Sequence, residues 1–169
     1  MNLYYESTTH GLDADALRVL WQARPRLGAS PEALVAQLEA SSAVELAIDP
    51  AMSVVVGLLA AERQGEAVVH LTLFGVHPDV HKQGVGTRLM RRMLHRFEAA
   101  DRIAVFCEPS LAHFYSWFGF EAAFAMVKRG RGSPAPGGGH ARSLDEDLQR
   151  LLPPDVADAT AAAPFRLAS

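Results

Sequence analysis

The sequence predicts a single α/β domain in which helices come first and a β-meander follows. Its 169 residues suffice for one compact domain with its own core and are too few for two domains of ordinary size. Three consecutive strand-like runs separated by turn signals indicate an antiparallel meander. Beyond the third run, helical and strand-like segments alternate.

A short strand and two helices precede the meander. Residues 2–6 have the pattern of a strand, and residues 13–23 carry apolar side chains at helical spacing. Ser30 followed by Pro31 is typical of a helix N-cap and first helical position, so a second helix should run to about residue 40. The strands of the meander are expected over residues 43–48, 53–61 and 67–76.

The third meander strand has two different faces. A period of two residues places Leu71 and Leu73 on one face, with His70, Thr72 and Phe74 on the other. We therefore expect the two faces to have different roles.

An amphipathic helix follows the meander. From Thr87 to Phe97, apolar residues recur at helical spacing and basic residues occupy the other positions. A strand is expected next over residues 103–107, then a helix over residues 111–118 that ends at Gly119, and a final strand over residues 122–127.

The composition changes after Lys128. Residues 129–169 begin with a Gly/Pro-rich stretch that has little to bury, so we expect the domain to comprise residues 1–128 and the rest to form a linker and tail. Ser143 and Glu146 have the spacing of a capping box, which predicts a short tail helix over residues 144–152.

Charge and cysteine content limit the location and the partners. The net charge of −3 argues against a polyanion such as nucleic acid as the main partner. The single cysteine, Cys107, cannot form an internal disulfide, and the first residues lack the pattern of a secretory leader, so a cytoplasmic location is expected. The longest apolar stretch, Met52 to Ala61, is shorter than the ~20 residues that cross a bilayer, which predicts no membrane span.

The loop that leads into the amphipathic helix has the features of an anion site. The first amides of a helix lack intrahelical partners and carry partial positive charge, and Gly84 and Gly86 would let a diphosphate approach the backbone. Five basic residues lie between His77 and Phe97, opposed by Asp79 alone. The alternative is that the glycines form a tight turn and the arginines a solvated helix face.

Two segments resemble signatures of one family. Residues 81–86 resemble the acetyl-CoA signature of the GNAT superfamily, Q/R-x-x-G-x-G/A, with Gly84 and Gly86 matching and His81 in place of Gln or Arg. Residues 107–120, CEPSLAHFYSWFGF, resemble its second signature, F-Y-x-x-x-G-F after a strand. Over residues 67–128 the chain is similar to the aralkylamine (serotonin) N-acetyltransferase branch.

The resemblance implies an acetyl-CoA-dependent N-acetyltransferase acting on a primary amine of a small molecule by direct attack on the thioester. It implies the GNAT fold, a mixed and mostly antiparallel sheet with a splay between the fourth and fifth strands. Pantetheine would enter that splay, and main-chain amides of the following loop would hold the pyrophosphate. The expected cosubstrate-binding residues are Phe74, Gly75, Val76, Lys82, Gln83, Gly84, Val85, Gly86 and Thr87.

Two residues are candidates for proton transfer. Tyr115, whose phenol has a reference pKa near ~10, would be protonated at neutral pH and could donate to the departing thiolate. His70 could accept a proton from the ammonium substrate through water. The related branch carries His-x-His on this strand, and here the pair reads His70 and Thr72, so the identity of the base is left open.

Several alternatives remain at this stage. The main rival is a non-catalytic acyl-CoA-binding or regulatory module that keeps the fold and the loop. Nucleic-acid binding by the arginines is less favoured, because no stacking aromatic residues are interleaved with them. The histidines lack a common metal-ligand spacing, so no metal is expected. This family often dimerises, which leaves a homodimer open, and the sequence does not identify the amine.

Overall fold

The computed structural model describes residues 2–65 and 67–123. Within these residues the chain forms five strands and four α-helices, joined in part by short 3-10 turns. The elements in chain order are β1 (Tyr4–Glu6), α1 (Ala14–Ala23), α2 (Pro31–Ala40), β2 (Ala43–Asp49), β3 (Val54–Gln64), β4 (Val68–Val76), α3 (Val85–Arg96), β5 (Arg102–Val105) and α4 (Ala112–Ser116).

The strands form one mixed sheet in the order β1-β2-β3-β4-β5. The first four strands pair antiparallel, and β5 pairs parallel with β4. The helix α3 supplies the crossover that a parallel pair requires. The predicted fold class, an α/β domain with a mostly antiparallel sheet and flanking helices, is confirmed.

Side-chain caps fix the starts of the first two helices. The Asp13 carboxylate accepts from the Ala16 amide at 2.8 Å, and the Ser30 hydroxyl accepts from the Ala33 amide at 3.1 Å. The second helix therefore begins where Ser30 and Pro31 predict, and the first begins at Ala14, one residue after the predicted start.

The later elements differ more from expectation. The helix α3 begins at Val85 rather than Thr87, and β5 ends at Val105 rather than Cys107. Ala122 and Ala123 are not in a strand. The rest of the strand predicted over residues 122–127, the domain boundary at Lys128 and the tail helix 144–152 lie outside the described residues.

Two apolar clusters cover the two faces of the sheet. On one face, α1 and α2 pack on β2 and β3 through residues that include Leu17, Leu20, Leu34 and Leu38, each at most 1% exposed. On the other face, α3 and α4 pack through Val85, Leu89, Met90, Met93 and Tyr115. The sheet is therefore the middle of three layers, as expected for an α/β domain.

A β-bulge in β4 changes which side chains share a face. Ala60 pairs with Leu73 and Ala61 with Leu71, so Thr72 is an extra residue without a partner in β3. Leu71 lies in the cluster with α3, Leu73 packs against the cluster with α1 and α2, and Phe74 returns to the α3 face. The prediction that Leu71 and Leu73 share a face opposite Phe74 was wrong, because strict alternation fails at the bulge.

The strands β4 and β5 separate beyond the bulge. Their parallel pairing runs from Val68 with Arg102 to Leu71 with Val105, and from Thr72 to Val76 no described strand pairs with this edge of β4. The expected splay between the fourth and fifth strands is thus present, and it begins beside Thr72.

A buried ion pair joins α3 to β2 at the opposite edge. The Glu45 carboxylate is 2.6 Å from Arg92 Nε and accepts at 2.7 Å from the Ser7 hydroxyl, and Glu45 is only 2% exposed. The Ser7 hydroxyl also accepts from Arg92 Nη2 at 2.9 Å. Arg88 and Arg92 lie over the ring of Tyr5, at 4.5 and 6.0 Å from its centroid. This network fixes β1 against the sheet edge.

Candidate active site

The loop after β4 presents main-chain amides at the start of α3. Lys82 and Gly84 have φ values of 60° and 78°, on either side of Gln83, which is not among the residues with positive φ. Alternation of this kind turns successive N–H groups to one side and forms an anion-binding nest. Gly84 is the N-cap of α3 and provides no side-chain hydrogen bond, so the first amides of the helix are available to a ligand.

The two glycines of the loop are needed for different structural reasons. A Cβ on Gly84 would meet no atom within 4 Å, so this glycine is needed for its left-handed conformation and leaves space above the loop. A Cβ on Gly86 would lie 3.1 Å from Phe74 Cζ, so this glycine allows α3 to pack closely on β4. The expectation that both glycines serve close ligand approach therefore fits Gly84 better than Gly86.

The end of β4 directs main-chain groups into the splay. The His77 amide donates to the Val56 carbonyl at 2.7 Å, which directs it toward β3. Since C=O and N–H of one peptide unit point in opposite directions along a strand, the Val76 carbonyl faces the splay. The same alternation turns the main-chain groups of Phe74 toward the splay and those of Gly75 toward β3.

Tyr115 lies below the splay on the α3 face of the sheet. It is 4% exposed, and its ring contacts Phe74, Phe114 and Phe120 edge-on, with centroids 6.4, 5.3 and 5.5 Å away. Burial, and to a lesser extent the nearby Cys107, raises the pKa of Tyr115 to about 12. The phenol is therefore fully protonated at neutral pH.

His70 lies on the opposite face from Tyr115. Its neighbours Val69 and Leu71 belong to the cluster that contains Tyr115, so strand alternation turns His70 toward the α1–α2 face. Its ring is nearly parallel to that of Phe106, with an interplanar angle of 16° and centroids 6.4 Å apart. Phe106 follows the end of β5 and is 72% exposed. The structure thus places the two candidate proton-transfer residues on opposite faces at the start of the splay.

Cys107 is the last residue of the strand predicted over residues 103–107. It is exposed, because β5 ends two residues earlier and the chain leaves the sheet. Partial desolvation raises the pKa of its thiol, which disfavours a reactive thiolate. Within residues 2–65 and 67–123, no group of three or more His, Cys, Asp or Glu side chains could hold a metal ion.

The basic residues after the loop are only partly available to an anion. Arg92 pairs with Glu45, Arg88 lies over Tyr5, and the Arg96 guanidinium is 3.5 Å from the Ser7 carbonyl. These three arginines face β1 rather than the start of α3. The excess of basic residues after the loop predicts an anionic ligand. In the structure, three of these residues instead contact the β1–β2 edge of the sheet.

The α1–α2 loop, residues 24–30, makes contacts that the sequence does not predict. Arg24 Nε donates to the Val76 carbonyl at 3.2 Å, and Arg24 Nη2 is 2.8 Å from His81 Nε2. Arg26 pairs with Glu108 at 3.2 Å. The sequence gives only an indirect signal for these contacts, namely His81 at a position where Gln or Arg is usual.

The comparisons with known proteins agree with this architecture. The family model described as the acetyltransferase (GNAT) domain matches residues 27–133. The chain therefore belongs to the GNAT acetyltransferase family.

Two curated relatives match a shorter segment. Serotonin N-acetyltransferase of Macaca mulatta is 39% identical over 67 residues, which cover 38% of this chain and 33% of the macaque protein. The same enzyme of Mesocricetus auratus is 37% identical over 67 residues, covering 38% of this chain and 32% of the relative. The matched segment thus spans about a third of the length of these relatives.

Solved structures extend the similarity over most of the chain. A candidate acetyltransferase from Deinococcus radiodurans R1 has a TM-score of 0.68 and 26% identity, covering 79% of this chain and 94% of its own. A GNAT family acetyltransferase from Streptococcus pneumoniae TIGR4 has a TM-score of 0.63 and 26% identity, covering 77% of this chain and 99% of its own.

Among the described residues, every helix is too short or too polar to span a membrane.

Proposed function

We propose that this protein is an acetyl-CoA-dependent N-acetyltransferase that transfers an acetyl group to a primary amine of a small molecule. The observation that carries the proposal is the opening between β4 and β5, which lies before the uncapped start of α3 and has Tyr115 packed against Phe74 of β4 on the α3 face. Acetyl-CoA supplies the activated acetyl group as a thioester.

The residues of the opening fit the elongated cosubstrate. The amides from Lys82 to Thr87 would hold the pyrophosphate, because this loop has positive φ at two positions and no side-chain cap. The main-chain groups of Phe74 and the Val76 amide would pair with the amides of pantetheine, since among the described residues they have no strand partner on the side of the splay, whereas the Val76 carbonyl already accepts from Arg24. Gly75 would contribute by fixing the strand against β3.

The two faces of the sheet would then divide the proton transfers. We propose that the neutral amine nitrogen attacks the thioester carbonyl carbon from the His70 face, where His70 accepts the ammonium proton through water. The C–N bond forms as the C–S bond breaks, and the nitrogen passes its second proton to solvent as it becomes an amide. On the other face Tyr115 donates a hydrogen bond and then its proton to the departing sulfur, and solvent water reprotonates the phenolate. This is a direct transfer without an acyl-enzyme.

The pKa of Tyr115 constrains its role. A phenol with a pKa of about 12 is a weak acid toward a thiolate whose free thiol has a pKa of ~8.5. The same surroundings raise the pKa of the nearby Cys107 thiol, so a thiolate formed there would also be more basic than in water. Tyr115 is therefore expected to stabilise the departing sulfur first by a hydrogen bond, with proton transfer late.

Release of free thiol tests the proposed function. The full chain is mixed with acetyl-CoA and a panel of aryl-alkylamines, polyamines, aminoglycosides and peptide N-termini, and thiol is measured over time. We expect thiol release only where both substrates are present, with the acetylated amine detected by mass spectrometry. Absence of turnover on every amine, with acetyl-CoA bound, would instead favour the second candidate.

That second candidate is a non-catalytic acyl-CoA-binding module. It is favoured by Thr72, which stands where the related branch has a second histidine, and by the deep burial of Tyr115. It predicts an increase in melting temperature with acetyl-CoA and no acetylated product. A cytoplasmic location and a homodimer remain predictions, and sedimentation equilibrium of the full chain tests the latter.

A further inference from the structure

The α1–α2 loop reaches both strands at the open end of the splay. Arg24 contacts the end of β4 at Val76, and Arg26 pairs with Glu108 just beyond β5. Between them, Leu27 lies so close to Gly75 that a Cβ there would be 2.7 Å from Leu27 Cδ1. Residues 24–27 therefore contact the end of β4 and the segment that follows β5.

The guanidinium of Arg24 lies at the junction of the splay and the loop that precedes α3. Its acceptor, the Val76 carbonyl, faces the splay because the other end of the same peptide unit donates to β3. Its second contact, His81, is the first residue of the segment that leads to Gly84. Arg24 is thus next to the amides proposed to hold the pyrophosphate, although it is far from them in sequence.

The hydrogen bonds of Arg24 leave its charge uncompensated. Both acceptors are formally neutral, the Val76 carbonyl oxygen and the lone pair of His81 Nε2. By contrast, Arg18, Arg26 and Arg92 each pair with a carboxylate. Among the described residues no carboxylate lies within 4.0 Å of Arg24, and a guanidinium has five N–H donors.

His81 itself is poorly suited to bind an anion through Nε2. That nitrogen is 2.8 Å from Arg24 Nη2 and 3.0 Å from the Val76 carbonyl. If Arg24 donates to both, Nε2 holds a lone pair and cannot donate to a phosphate oxygen. The imidazole then acts as a support that orients the guanidinium.

We propose that Arg24 is a cosubstrate-binding residue that donates to the diphosphate of coenzyme A, oriented for that role by His81. This inference rests on the proposed function, because it requires coenzyme A at the start of α3. Arg24, from the α1–α2 loop, would place beside the diphosphate the positive charge that His81 does not supply. Planar guanidinium donors match phosphate oxygens well, which favours arginine here.

Binding titrations with two thioesters test the proposal. Calorimetry compares acetyl-CoA with S-acetyl-pantetheine, which lacks the diphosphate, on wild type, Arg24→Met and Arg24→Lys. We expect Arg24→Met to weaken acetyl-CoA binding by about tenfold or more and to leave S-acetyl-pantetheine unchanged, with Arg24→Lys between. Inorganic pyrophosphate should compete with acetyl-CoA less well in Arg24→Met than in wild type.

Arg26→Met is the matched control. Arg26 lies in the same loop but pairs with Glu108, so its loss should leave the affinity for acetyl-CoA unchanged. Equal affinity of wild type and Arg24→Met, or an equal loss for both thioesters, would overturn the proposal. Melting curves of each variant establish that it is folded. If wild type itself binds no acetyl-CoA, the proposed function fails, whereas unchanged binding by Arg24→Met removes only the role of Arg24.

Discussion

The two edges of the sheet use arginine in opposite ways. At the β1–β2 edge, Arg92 pairs with the buried carboxylate of Glu45 and shares Ser7 with it. At the β4–β5 edge, Arg24 is held by a carbonyl and an imidazole, and the strands separate beside it. The first edge is closed by complementary charge. The second edge has, among the described residues, a guanidinium without a carboxylate partner and main-chain groups of β4 without a strand partner.

This contrast separates residues that stabilise the fold from residues that bind ligand. An arginine that is paired with a buried carboxylate has its charge already compensated, so it is poorly suited to bind a ligand. Removal of the carboxylate leaves that arginine without its partner. A guanidinium whose hydrogen-bond partners are neutral keeps its positive charge and has further N–H donors available for an anion. Substitutions at the closed edge should therefore change stability, and substitutions at the open edge should change binding or turnover.

The largest effect is expected for Tyr115→Phe at the open edge. Removing the hydroxyl removes the donor to the departing sulfur while the ring packing remains, so turnover should fall by about a hundredfold or more. Stopped-flow or thiol-release kinetics measure turnover, and calorimetry should find unchanged affinity for acetyl-CoA. Wild-type turnover in this variant would exclude Tyr115 as the donor.

Glu45→Ala should have the next largest effect, on stability alone. It leaves Arg92 without its carboxylate, but the Arg92 side chain is 38% exposed, so water compensates part of the loss. We expect the free energy of unfolding in urea to fall by about 2 kcal/mol, with turnover per folded molecule unchanged. Glu45→Gln keeps the hydrogen-bonding shape and should lose less. An equal loss of turnover in both variants would contradict the separation of the two edges.

A smaller effect is expected at Gly84, with Gly86 as its matched comparison. Gly84→Ala places a Cβ in a left-handed conformation with φ of 78° and should lower the free energy of unfolding by about 1 kcal/mol. Gly86→Ala gains helix propensity and meets only the tip of the Phe74 ring, so it should lose less stability. Both should weaken acetyl-CoA binding several-fold, as calorimetry can measure. Unchanged stability of Gly84→Ala would argue against the left-handed conformation of residue 84.

The smallest effect concerns pH. Tyr115 must be protonated to donate, and its raised pKa of about 12 means that the active form persists as pH rises toward that value. Turnover at saturating substrates should therefore show no decrease from phenol ionisation between about pH 8 and about pH 10, where an ordinary tyrosine would begin to titrate. A decrease near pH 10 that is absent in Tyr115→Phe would show that the site does not raise the pKa of the phenol.

Much of the fold could be predicted from local signals. Ser30 marks a helix start because its side chain satisfies an amide that every helix leaves free, and this holds without tertiary context. The meander followed from apolar runs between turns, which β2 and β3 bury almost completely.

The unpredicted features depend on contacts between distant segments. The bulge at Thr72 arises from pairing with Ala60 and Ala61, and nothing in the alternation of β4 marks it. Arg24 contacts His81 across 57 positions, and Arg92 contacts Glu45 across 47. The loop through Gly84 and the position of Tyr115 could be found because they lie in short motifs. The residues of other elements that contact this loop and Tyr115 could not be predicted.

The bulge at Thr72 also sets a rule for the length of this segment. Leu71, Leu73 and Phe74 pair in turn with Ala61, Ala60 and Leu59, so deletion of position 72 would remove the bulge and still leave the Phe74 ring on the face where Gly86 packs on it. Deletion of a second residue would shift the register by one and turn the Phe74 ring toward α1 and α2. Natural variants should therefore tolerate the loss of one residue between His70 and Phe74, but not the loss of two.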